Sequence, residues 1–142
     1  MSLLFPAATA PVERAPASAG TILLVEDEAP LRRATARILE QAGYAVVVAE
    51  DGERALEILR ARAHEITLVV SDVVMPKMGG LQLREALVGE GIATRLLLTS
   101  GYAAGDIVRR ANLPPDVTIL QKPYTIEELW SRVREMLKGP PA

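Results

Sequence analysis

Strand-sized runs of branched apolar residues recur five times along this chain, each followed by apolar residues repeating at helical spacing. The runs are Thr21–Val25, Tyr44–Ala49, Ile66–Ser71, Arg95–Thr99 and Val117–Leu120. Ile66–Ser71 is continuous rather than alternating, the pattern of a strand covered on both faces. Pro30 falls in a first helical turn, where its missing N–H costs little. Leu31, Ala34, Ile38, Leu39 and Ala42 then form an apolar stripe, and Gly43 closes the helix. A turn at Gly52 leads into a helix with Ala55, Leu56 and Leu59 inward. The loop Met75–Gly80 precedes a helix over Leu81–Val88, and a short helix over Ala103–Ala111 stops before Pro114-Pro115. Ile126, Leu129, Val133, Met136 and Leu137 stripe the last helix, which ends at Gly139-Pro140-Pro141. With right-handed crossovers, five such units give an α/β fold, a doubly wound five-stranded parallel sheet with helices on both faces.

One domain accounts for the length. A chain of 142 residues can bury one real core and not two. Residues 1–20 are Ala/Pro-rich without apolar period and read as a linker or arm, 21–139 as the domain and 140–142 as a tail. A net charge of -2 gives no electrostatic reason to expect nucleic acid or an anionic membrane as partner. No cysteine is present, which excludes disulfides, zinc–thiolate sites and thiol chemistry. The longest apolar runs fall far short of a membrane span, and Leu3-Leu4-Phe5 is too short for a signal peptide. A cytoplasmic protein is the simple expectation.

Four of the five runs end on polar residues suited to one chemistry. Val25 leads into Glu26-Asp27, Ser71 into Asp72, Leu98 into Thr99 and Gln121 into Lys122. In a parallel sheet these ends share one edge, where open α/β sheets bind their ligands. Three carboxylates held together raise one another's pKa unless a cation relieves them. All-oxygen ligands suit Mg²⁺, with Asp27, Asp72 and the Val74 backbone carbonyl as direct ligands and Glu26 acting through water. Asp72, at the central strand, is the candidate phosphoacceptor, and Lys122 the compact charge that neutralises phosphoryl oxygens. Thr99 can donate its hydroxyl to a phosphoryl oxygen only when that group is present, which is the physical form of a switch. The chain uses thirteen Arg and three Lys, so the ammonium at Lys122 stands out against its preference.

Each feature alone has a plainer explanation. Acidic pairs after strands usually cap helices, Thr-Ser commonly ends a strand, and Lys122 before Pro123 is ordinary surface. It is their recurrence at four matching strand ends that makes a site. Asp51 reads as a helix cap at the sheet's outer edge, His64 as surface, and Trp130 as core margin or a docking anchor.

The ordered set Glu26-Asp27, Asp72-Val-Val-Met75-Pro76-x-Met78-x-Gly80, Thr99-Ser100 and Lys122-Pro123 resembles the response-regulator receiver domain of two-component signalling. The resemblance covers about residues 20–138. It implies a flavodoxin-like sheet in the order 2-1-3-4-5, one of the two common doubly wound arrangements. It also implies Mg²⁺-dependent transfer to Asp72 from the phosphohistidine of a histidine kinase or histidine phosphotransfer domain. Phosphoryl contacts by the backbone N–H groups of Val73 and Ser100, and self-catalysed hydrolysis, follow from it as well. The chain departs from the common pattern at three places. Ser71 stands where a second acid is frequent. Ile119 replaces the usual aromatic switch residue, a role Tyr102 is a candidate to share with Thr99. Val74 and Gly101 offer no polar group to position a hydrolytic water, so the phosphoryl group is expected to leave at no exceptional speed.

The Thr99-Ser-Gly-Tyr102 stretch resembles receivers at the C-terminus of hybrid sensor kinases, which makes a receiver from such a kinase the first expectation. A free-standing single-domain regulator is the second. By analogy, Ile107, Arg110 and Trp130 would contribute to a partner surface. Two other classes fit less well. A haloacid-dehalogenase-like phosphatase needs an acid two residues after its nucleophile, where this chain has Val74. A flavin or nucleotide binder needs a glycine-rich first loop, where this chain has Glu26-Asp27-Glu28.

Overall fold

The computed structural model describes residues 20–101 and 117–138. The expected helix over Ala103–Ala111, the candidates Tyr102, Ile107 and Arg110, the leader before Gly20 and the tail lie outside the described residues. Strands form at β1 (Thr21–Val25), β2 (Ala45–Ala49), β3 (Ile66–Asp72), β4 (Arg95–Ser100) and β5 (Thr118–Gln121). The described helices are α1 (Ala29–Gln41), α2 (Gly52–Arg62), α3 (Gly80–Gly89) and α4 (Ile126–Lys138). The sheet is parallel throughout, in the order β2-β1-β3-β4-β5. None of the described helices is long and apolar enough to cross a membrane.

Strand alternation divides the core in two. Leu23, Val25, Val69 and Leu98 face the side packed by α2 and α3, with Ala55, Leu59 and Leu83 buried against them. Ile22, Leu24, Val70 and Leu97 face the other side, with Leu39, Leu129 and Val133. This double covering is why β3 reads as an unbroken apolar run, only Thr67 in its body being exposed.

Local signals set the helix ends. Gly43 adopts φ 102°, its N–H bonds to Glu40 O at 2.9 Å, and Tyr44 N–H reaches Leu39 O at 3.3 Å. This paired closure needs a left-handed residue just past the helix, which glycine supplies at least cost. Asp51 caps α2 as expected, Oδ1 accepting from Arg54 N–H at 2.9 Å. Thr125 and Glu128 form a reciprocal capping box at α4, with bonds of 3.0 and 2.8 Å. One expectation for α1 is corrected. Ala34 is exposed, and Thr35 is buried in its place. The inward stripe is Leu31, Thr35, Ile38, Leu39 and Ala42, and Thr35 tolerates burial because its hydroxyl bonds to that of Tyr124.

Candidate functional site

Sheet register assembles the site. Val25 lies opposite Ser71 and Asp72 opposite Thr99, so Glu26, Asp72 and Thr99 stand in a row across three strands. Ser100 lies opposite Gln121, which puts Lys122 one step past the edge on β5. A backbone bond beyond each strand then fixes the site residues in the plane of the sheet. Glu26 N–H donates to Ala49 O at 3.0 Å, Val73 N–H to Thr99 O at 2.9 Å and Lys122 N–H to Ser100 O at 2.7 Å. The Lys122–Pro123 peptide is cis.

Asp72 is the hub. Lys122 Nζ lies 2.7 Å from its Oδ1, and the Thr99 hydroxyl donates to the same oxygen at 2.5 Å. Glu26 Oε1 is 3.9 Å from Lys122 Nζ, and Glu26 Oε2 accepts from Glu28 N–H at 3.2 Å. Glu26, Thr99 and Asp72 are buried, whereas Asp27 is exposed at the mouth. The Arg32 guanidinium ties the acidic loop down by donating to Glu26 O at 2.8 Å.

The electrostatics follow from this crowding. Burial, with the Asp72 charge and a hydrogen bond between the two carboxyls, raises the Glu26 pKa from 4.5 to about 7. Burial opposes the charge of Lys122, but its hydrogen bond to Asp72 and the two nearby carboxylates outweigh this, and its pKa rises. Tyr124, beside the lysine loop, is pushed up by burial.

Ligand oxygens of Glu26, Asp27 and Asp72 lie within 4.8 Å of one another, close enough to share one cation. Oxygen-only donors and a carboxyl driven to hold a proton near neutrality fit a small hard divalent ion such as Mg²⁺. Val74 presents its side chain to solvent at 65% exposure. No carboxyl therefore stands where a dehalogenase-like phosphatase needs its acid.

The loop from Val73 to Gly80 explains much of the specific motif. A Cβ at Gly80 would come within 2.7 Å of Asp72 O and of Leu98 Cδ2, and one at Gly79 within 2.2 Å of Val73 O. Only glycine lets α3 begin this close to the end of β3.

Comparison with known proteins agrees with this construction. The family profile of the response regulator receiver domain matches residues 22–134. The chain belongs to that family. This receiver is 41% identical over 120 residues to the sensor kinase CckA of Brucella abortus, covering 83% of the chain and 12% of CckA. It is 31% identical to the response regulator receiver protein CpdR of the same organism, covering 82% of the chain and 95% of CpdR. Among solved structures, the receiver domain of hybrid histidine kinase CckA superposes with a TM-score of 0.69 at 39% identity, covering 84% of this chain and all of that one. A response regulator receiver protein of Sinorhizobium medicae gives 0.74 at 33%, covering 86% and 97%.

The structure brings together Glu26, Asp27, Asp72, Thr99 and Lys122, with Val73 and Ser100 flanking them. Two details escaped the sequence. The Thr99 hydroxyl already donates to Asp72, and the Val73 N–H is bonded within the sheet, so a phosphoryl contact there requires that bond to bend or be shared. His64 is surface, its side chain 80% exposed. Trp130 is core margin, its indole N–H donating to Ile38 O at 2.9 Å.

Proposed function

We propose that Asp72 accepts a phosphoryl group from the phosphohistidine of a histidine kinase or histidine phosphotransfer domain and thereby switches a partner-binding surface. The observation that carries this is the meeting of Lys122 and Thr99 on one oxygen of Asp72, beside two further acids. In the transfer an Asp72 carboxylate oxygen attacks phosphorus in line; the new O–P bond forms as the N–P bond breaks, and the donor imidazole leaves with the electron pair. Mg²⁺ held by Glu26, Asp27, Asp72 and the Val74 carbonyl would neutralise charge on the phosphoryl oxygens.

Lys122, already 2.7 Å from Asp72, needs only a small movement to reach a phosphoryl oxygen. The Thr99 hydroxyl has to give up Asp72 Oδ1 and turn to the same group. That exchange of partners, with Tyr102 as the second switch residue and the Val73 and Ser100 N–H groups as further donors, is the local event that propagates. In this reading the isolated chain catalyses only its own phosphorylation and dephosphorylation, the second at no exceptional speed because Val74 and Gly101 offer no polar group to position a water.

Similarity to CckA favours a hybrid histidine kinase as the parent protein, in the cytoplasm. A free-standing single-domain regulator is the second reading, and the length of the full gene separates the two. Incubation with acetyl phosphate and Mg²⁺, followed by intact mass, tests the mechanism. A gain of one phosphoryl group that disappears in Asp72→Asn is expected; an undiminished gain in that variant would remove Asp72 from the role.

A further inference from the structure

The residues that open α2 touch the loop that follows the phosphoacceptor. Gly52 N–H donates to Met78 O at 2.9 Å, so the first turn of α2 is bonded to the β3–α3 loop rather than to water. A Cβ at Gly52 would come within 2.4 Å of that carbonyl oxygen and 2.7 Å of Met78 Cγ. Beside this contact the buried Asp51 carboxylate caps α2 through Oδ1 and faces Lys77 Nζ at 4.0 Å through Oδ2. Lys77 has φ 67°, a left-handed conformation that a lysine adopts only at a cost. Met78 N–H turns back to Pro76 O at 2.8 Å.

The loop is thus gripped from two sides. On the inside, Gly79 and Gly80 lie against the carbonyls of Val73 and Asp72, and Gly80 N–H bonds to Val73 O at 3.1 Å. On the outside, α2 holds Met78 and Lys77. Between the two grips runs the segment that carries the Val74 carbonyl.

We propose that Asp51 and Gly52 are positioning residues for the metal site: the close contact of Gly52 with Met78 and the facing of Asp51 and Lys77 hold the β3–α3 loop so that its backbone carbonyl completes the cluster of Glu26, Asp27 and Asp72. This rests on the phosphoacceptor reading of that cluster. Neither residue touches the ion or the phosphoryl group; both act through the loop. Gly52 does not have positive φ, so alanine suits its helical position and any effect of the added methyl comes from the collision with Met78.

The test is Mg²⁺ titration by calorimetry on the wild-type chain and Gly52→Ala, with thermal melts of both. The expected result is a dissociation constant raised about tenfold, as for other residues that orient metal ligands, together with some loss of melting temperature from the collision with Met78, so that the affinity is the deciding readout. A purely structural role would lower the melting temperature and leave the affinity alone. The second measurement needs no variant. Because coupling is reciprocal, saturating Mg²⁺ must slow hydrogen exchange at the Gly52 amide by about the same factor. This decides the matter should Gly52→Ala fail to fold. Wild-type affinity in a folded Gly52→Ala, or a Gly52 amide indifferent to Mg²⁺, overturns the positioning role and leaves the phosphoacceptor reading standing. A wild-type chain that binds no Mg²⁺ overturns both.

Discussion

Glu26 is the residue whose surroundings conflict most with its charge. The folded protein keeps its proton up to about pH 7, while an unfolded chain releases it near the ordinary value of 4.5. Its contribution to stability is therefore full below 4.5 and is lost as pH rises through about 7. In Mg²⁺-free buffer, urea midpoints are expected to fall between about pH 5 and about pH 8, and Glu26→Gln is expected to flatten that slope. An unchanged slope in the variant would show that another group sets it. Lys122 belongs at the same scale. Replacing it by Met keeps the aliphatic stem but withdraws the only cation that an ion pair of 2.7 Å gives Asp72 among the described residues. The rate of Asp72 phosphorylation by acetyl phosphate is expected to fall about 10²-fold, read by intact mass against time.

At the scale of elements, the ends of the helices decide how firmly the site-bearing loops are held. The capping box of Thr125 and Glu128 starts α4 three residues after Lys122, so it fixes the chain directions on both sides of Pro123 and Tyr124. Thr125→Ala is expected to cost about 1 kcal/mol in urea unfolding, with phosphorylation retained. Of the two caps, the Thr125–Glu128 box emerged only with the structure, whereas the Asp51 one was expected from the sequence, though not its second partner. Lys77 is twenty-six positions away, and only the packing of α2 on the β3–α3 loop brings the two charges together. Ala34 shows the opposite failure. Periodicity put this small apolar residue inside, yet it lies on the margin of the stripe, and a threonine with a hydroxyl partner took the buried place.

For the molecule as a whole, one sheet serves two cores. Leu97 and Leu98 are adjacent in β4, both fully buried, and point to opposite faces. Leu97→Ala and Leu98→Ala are each expected to cost about 2–5 kcal/mol. Because both layers depend on the same five strands, each variant is expected to unfold in a single transition, with fluorescence and circular dichroism midpoints coinciding. Separate midpoints would mean that the two faces melt independently. Leu98 also packs where α3 begins beside Asp72, so its truncation alone is expected to disturb the loop after Asp72.

The sequence by itself determined the five strands, the doubly wound class and the residue types at the strand ends, because hydrophobic period and chain chirality are local properties. It also named the acids, the hydroxyl and the ammonium of the site. Tertiary structure alone decided how they meet: that Thr99 and Lys122 share one oxygen of Asp72, that Glu26 is the buried acid and Asp27 the exposed one, and that α2 reaches the loop beyond. Distance and burial arise when separate strands align in register, and no stretch of chain carries that information alone.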